Sequence, residues 1–173
     1  MEQAVALLGE VAQELRPMLE QGVWPAELFR FSPKIAKGEK YQGLPYVILD
    51  YPRVFGKTDI FAVRTLFWWG HFFSVTLHLR GQYKTQYAPV LMQRLSLLRQ
   101  YDFYISVGED EWQHDFSTEN YRALTAMEDT AIERILMAGE FCKLSSRIAL
   151  EQWDQSVVLL TGLLRVVFQS LSD

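Results

Sequence analysis

The sequence predicts an α+β domain: an antiparallel meander sheet of about four strands, helices packed mainly on one face, and a long C-terminal helix. Three observations predict it. Residues 60–80, IFAVRTLFWWGHFFSVTLHLR, concentrate aromatic residues and β-formers as no other stretch does. After Gly81 the apolar period changes to three or four residues. The stretch from 150 to 171 keeps that helical spacing almost without a break.

The first helix is read from Ala4, Leu8, Val11, Leu15 and Met18, with Glu10 and Glu14 outside. Pro17 should kink or end it. Residues 21–33 read as a loop with one helical turn over 25–31, pinned to the core by Trp24, Phe29 and Phe31. KIAKGEKYQGLP, residues 34–45, is the most basic and loop-like short segment; its glycines fit neither GxGxxG nor GxxxxGK[ST], so no nucleotide cradle is indicated. YVILDYP, residues 46–52, reads as the first strand and stops at Pro52.

Residues 60–80 then read as a hairpin centred on Gly70. One register sorts the side chains, with paired residue numbers summing to 140. It puts Phe61, Val63, Thr65 and Phe67 on a nearly apolar face with Leu79, Leu77, Val75 and Phe73. The opposite face is mixed: Ala62, Arg64, Leu66 and Trp68 beside His78, Thr76, Ser74 and Phe72. A two-residue turn would place Phe67 on the side of Ser74 and His78, so an odd loop such as Trp69-Gly70-His71 is favoured. The rival is a helix over 59–65 capped by Thr58, followed by one long strand.

A second helix is read over about residues 89–100 from Tyr87, Leu91, Leu95 and Leu98, with Pro89 in its first turn. DFYISVG, residues 102–108, reads as a fourth strand. GEDEWQHDFSTEN follows as a polar loop whose acids lack calcium-loop spacing. From Ser117 onward the chain reads as helical to its end, with Gly139 dividing two helices and Cys142 inside one of them. The last helix carries apolar residues on more than one face. It is therefore sandwiched in the core or pairs with a second copy in a homodimer.

A chain of 173 residues that is 49% hydrophobic supports one large core, so residues 1–173 read as a single globular domain. The lone Cys142 rules out an internal disulfide or a thiolate cluster and fits a reducing compartment. An acidic N-terminus and the lack of any apolar run of about 20 residues point to a cytoplasmic protein with no membrane span. Net charge is −4, yet residues 30–99 carry eleven Lys or Arg against three Asp or Glu. That asymmetry marks either an anion-binding middle segment or a basic sheet complemented by acidic helices. A nucleic-acid-binding protein acting through that basic middle segment is a further alternative, disfavoured by a pI of 5.4 and by the absence of any binding motif.

GLPYVILDYPR and FWWGHFFSVTLHLRG together resemble a signature of uncharacterised bacterial proteins. The resemblance implies a bacterial cytoplasmic protein and no particular activity.

No GxSxG elbow and no HxxxH or HExxH pair is present, and His71, His78 and His114 form no metal motif. No metal and no cofactor are expected. One convergence remains, on the mixed face of the hairpin. Arg64 pairs across strands with Thr76, His78 lies two residues further on, and Asp50 ends the preceding strand. The leading reading is a non-catalytic binding or interaction protein. The alternative is an enzyme acting on a small anionic substrate, with Asp50, Arg64 and His78 as its catalytic group. Lys37, Tyr41, Arg53, Trp68 and Phe72 are the candidate ligand-binding residues, the aromatics as an apolar wall.

Overall fold

The computed structural model describes residues 1–172. Its elements run α1 (Glu2–Glu20), β1 (Lys34–Tyr41), β2 (Leu44–Phe55), β3 (Ile60–Trp68), β4 (Phe72–Arg80), α2 (Gln82–Met92), α3 (Leu95–Gln100), β5 (Tyr104–Ser106), β6 (Tyr121–Ala123), α4 (Asp129–Ala138), β7 (Phe141–Ala149) and α5 (Ser156–Ser170). Short 3-10 turns occupy Ala26–Phe29, Leu124–Ala126 and Leu150–Gln155. The fold is α+β with a seven-stranded sheet in the order β1-β2-β3-β4-β7-β5-β6, every neighbouring pair antiparallel.

The hairpin has the expected register: Ile60 pairs with Arg80, Arg64 with Thr76 and Trp68 with Phe72, around a three-residue loop. Gly70 in that loop has φ of 74°, a conformation that costs glycine little. The apolar face of the hairpin builds the main core. Phe61, Val63, Phe67, Phe73, Val75, Leu77 and Leu79 pack there with Leu8 of α1, Leu91 of α2, Leu98 of α3, Leu136 of α4 and Leu164 of α5. Helices thus lie mainly on one face, as the patterning predicts.

Seven strands stand where about four were expected, and three were misread for physical reasons. Residues 34–41 form β1 rather than a loop. It is an edge strand that pairs only with β2, and lysines on an exposed edge discourage a further chain from adding to it. Gly38 lets the Tyr46 ring lie against the strand, since a Cβ there would strike that ring. Residues 121–123 and 141–149 form β6 and β7 rather than helices. In β7, Cys142, Leu144 and Ile148 face the main core while Lys143, Ser145 and Arg147 face away, a period of two within an otherwise helical half of the chain. Cys142 is therefore a strand residue; burial pushes its thiol up to about 12, which makes it inert.

Smaller differences have local causes. α1 runs through Pro17 to Glu20 because Leu15 and Leu19, buried on either side, outweigh the missing N–H. β2 continues past Pro52 to Phe55; the ladder shifts register between Asp50 and Arg53, so no N–H is required of the proline. The second helix divides into α2 and α3, and α2 starts seven residues before Pro89, at Gln82, whose N–H donates to Asp59 Oδ1 at 2.8 Å. Phe31 does not pin its loop to the core. It is exposed, with the Arg53 guanidinium 5.3 Å over its ring. Residues 150–155 are a 3-10 turn rather than the first turns of the last helix. Among the described residues no helix is long and apolar enough to cross a membrane.

Candidate functional site

The mixed face of the sheet is not open. Residues 107–120, without regular structure, cross it as a strap between β5 and β6. Tyr41, at the end of β1, fastens the strap: its hydroxyl accepts the His114 N–H at 2.7 Å and the Asp115 N–H at 3.3 Å, and donates to Asp115 Oδ1 at 3.0 Å. Phe116 is inserted among Phe72, Tyr104 and Tyr121, with the Arg147 guanidinium 4.9 Å from its ring. A small apolar cluster of Leu66, Trp68 and Phe72, flanked by Tyr41, Tyr46 and Phe116, closes that end of the face.

At the other end the strap covers charged groups. Arg64 holds Asp50 through two bonds, Nε to Oδ1 at 2.7 Å and Nη2 to Oδ2 at 2.8 Å. The third nitrogen, Nη1, lies 3.3 Å from His114 Nε2. Glu111 descends from the strap to His78 Nε2 at 2.9 Å and to Arg80 Nη1 at 2.6 Å. Lys143, 1% exposed, sits across from His78 on β7 and donates to the Gln113 carbonyl at 2.6 Å. Thr76 and Ser145 hydroxyls lie 2.7 Å apart between the strands. The Tyr121 hydroxyl, close to them and wholly buried, has no formed hydrogen bond.

Burial governs the ionisation here. It lowers His78 to about 4, outweighing the bond to Glu111, with Lys143 and Arg64 adding to the drop. It lowers His114 to about 3, again helped by Lys143 and Arg64. Lys143 falls to about 8, by burial first and then by Arg64. Both histidines are therefore neutral at pH 7 and Lys143 is mainly an ammonium.

Arg64, His78, Glu111, His114 and Lys143, with Thr76, line a small cavity of about 10 Å³, room for about one water, whose outer wall is the exposed Phe55 and Trp112. Of the expected catalytic residues, Arg64 and His78 share this cavity. Asp50 is held behind Arg64 and does not line it, and the carboxylate on His78 is that of Glu111. Among the expected ligand residues, Tyr41, Trp68 and Phe72 meet in the small apolar cluster. Lys37 is exposed on the edge strand, and Arg53 Nε is bound to the Ser32 carbonyl at 2.7 Å, apart from the others. Glu111, His114 and Lys143 were not foreseen. Alternation in 141–149 is the signal that places Lys143 opposite His78, and Trp112 and Phe116 are the signal that a polar loop packs down.

Among the described residues no group of three or more His, Cys, Asp or Glu is arranged to hold a metal. No protein-family model matches the chain, and comparison with curated proteins and with solved structures finds no match.

Proposed function

We propose that the protein is a non-catalytic binding protein for a small oxyanion, held beneath the strap by Lys143 and Arg64. Lys143 carries the reading. A buried ammonium is expensive unless paired, and this one has a backbone carbonyl and the face of the Tyr121 ring at 5.5 Å but no carboxylate contact among the described residues. Arg64 lines the same cavity, so an anion there would meet a guanidinium and an ammonium, with the Glu111 carboxylate in the opposite wall held by Arg80. Binding is favoured over catalysis because both nearby carboxylates are tied to guanidinium groups, Asp50 by Arg64 and Glu111 by Arg80. Neither is free to act as a general base.

The cavity has room for about one water, so the anion enters as the strap lifts. Phosphate, sulfate and acetate, each against chloride at equal ionic strength, provide the test. One of the three is expected to raise the thermal midpoint saturably, by roughly 3–6 °C at ten times its Kd. Lys143→Met should abolish that shift without lowering the protein's own stability, since an apolar side chain replaces a desolvated charge. No shift beyond chloride, or a shift that survives in Lys143→Met, rejects the proposal.

A further inference from the structure

A second cavity, of about 510 Å³, lies where the ends of α1 and α5 meet the junction of α2 and α3. Its walls are Met18, Leu97, Trp24 and Phe168, the last two rings meeting edge to face at 5.6 Å. Arg94 and Arg165 also line it, and among the described lining residues there is no Asp or Glu.

Two of its donors lack partners. Six buried side-chain polar atoms among the described residues have no hydrogen bond, and the only two that can do nothing but donate are Trp24 Nε1 and Arg94 Nε. Both belong to residues of this cavity. Arg94 Nη2 is engaged, donating to the Ser172 carbonyl at 3.0 Å, which holds the guanidinium while its Nε is left over. Gly22 leaves room for the indole, because a Cβ at that position would run into Trp24 Nε1. Leaving a buried N–H without an acceptor is costly, so two in one cavity point to an acceptor beyond the described residues.

We propose that this cavity binds a small carboxylate with a flat apolar body. The carboxylate accepts from Trp24 Nε1 and Arg94 Nε and is balanced by Arg165, and the apolar body lies against Trp24, Phe168, Met18 and Leu97. The volume suits a small molecule. The site shares no residue with the cavity beneath the strap, so neither proposal depends on the other.

The test is a titration of the full chain with phenylacetate, followed on the five indole N–H signals, with Trp24→Phe identifying the signal of Trp24. That signal is expected to move downfield and saturate, and to do so equally in Lys143→Met. Benzyl alcohol, which has the ring without the charge, should not move it. Arg165→Gln changes an exposed residue and leaves folding intact; it should weaken binding about tenfold. Trp24→Phe retains the wall without the donor and should weaken it as well, read on the perturbed backbone signals of the cavity. A Trp24 signal unmoved by about 10 mM phenylacetate, an equal response to benzyl alcohol, or unchanged affinity in both variants overturns the proposal.

Discussion

A guanidinium has donors and no acceptor, so the contact from Arg64 Nη1 requires His114 Nε2 to be unprotonated, with the ring proton on Nδ1. His78 takes the other tautomer, its Nε2–H donating to Glu111. Protonating His114 would set a cation against Arg64 and Lys143, and protonating His78 would add a charge beside the same lysine. The native state therefore binds fewer protons than the unfolded chain between about 4 and 6.5 for His78 and between about 3 and 6.5 for His114. Stability should be complete above pH 6.5 and fall as pH drops through those windows, by on the order of 3 kcal/mol for each histidine. Asp115, which burial pulls up but hydrogen bonds from Ser117 and Tyr41 hold below its usual 3.8, adds its loss only at still lower pH. Urea midpoints measured from pH 7.5 to 4.5 should decline in the wild type and clearly less in His114→Asn; parallel declines would show that His114 is not the group. The nearness of Arg64 to His78 was legible, because the hairpin register puts both on one face; that Asp50 pairs with Arg64 depends on the register between β2 and β3, which periodicity does not set. Lys143 and Glu111 were not legible, because the one lay in a strand taken for a helix and the other in a loop whose acids suggested solvent.

Among the elements, the hairpin could be read in full because its two faces differ so sharply that only one register sorts them. β7 could not, since CKLSS offers only two apolar residues before its serines, and pairing with β4 along its whole length decides its conformation. The strap is the element with least intrinsic structure, and it is held by side chains rather than by a ladder. Its three bonds to the Tyr41 hydroxyl make a sharp test. Tyr41→Phe keeps the ring against Trp68, at 5.1 Å between centroids, and strips only the hydroxyl. A loss of about 1–3 kcal/mol is expected, together with faster hydrogen exchange in residues 107–120 and unchanged protection in β3 and β4. Unaltered strap exchange would mean that Phe116 and Glu111 alone hold it down.

Over the whole molecule, two arginines of the basic middle reach acids that follow it in the chain. Arg80 reaches Glu111 and Glu140, and Arg99 reaches Asp129. The apolar surplus of the C-terminal helix resolves largely inward. Leu160, Leu163, Leu164, Val166, Val167 and Phe168 are all buried, and Val166 is only 3% exposed. A homodimer through α5, proposed from its width, must therefore be built on Val158, which is 76% exposed, with half-buried Val157 and Leu159 beside it. Two substitutions separate the roles of the helix. Val166→Arg forces a charge into the core and should unfold the protein, with loss of cooperative melting, whatever the oligomeric state. Val158→Arg adds a solvated charge and should leave the melting of an isolated chain within about 0.5 kcal/mol of wild type. Sedimentation at micromolar concentration then reads the interface directly. A wild type at twice 20.2 kDa that falls to 20.2 kDa in Val158→Arg supports the dimer, whereas a wild type already at 20.2 kDa rejects it and leaves α5 as a core helix with one exposed valine.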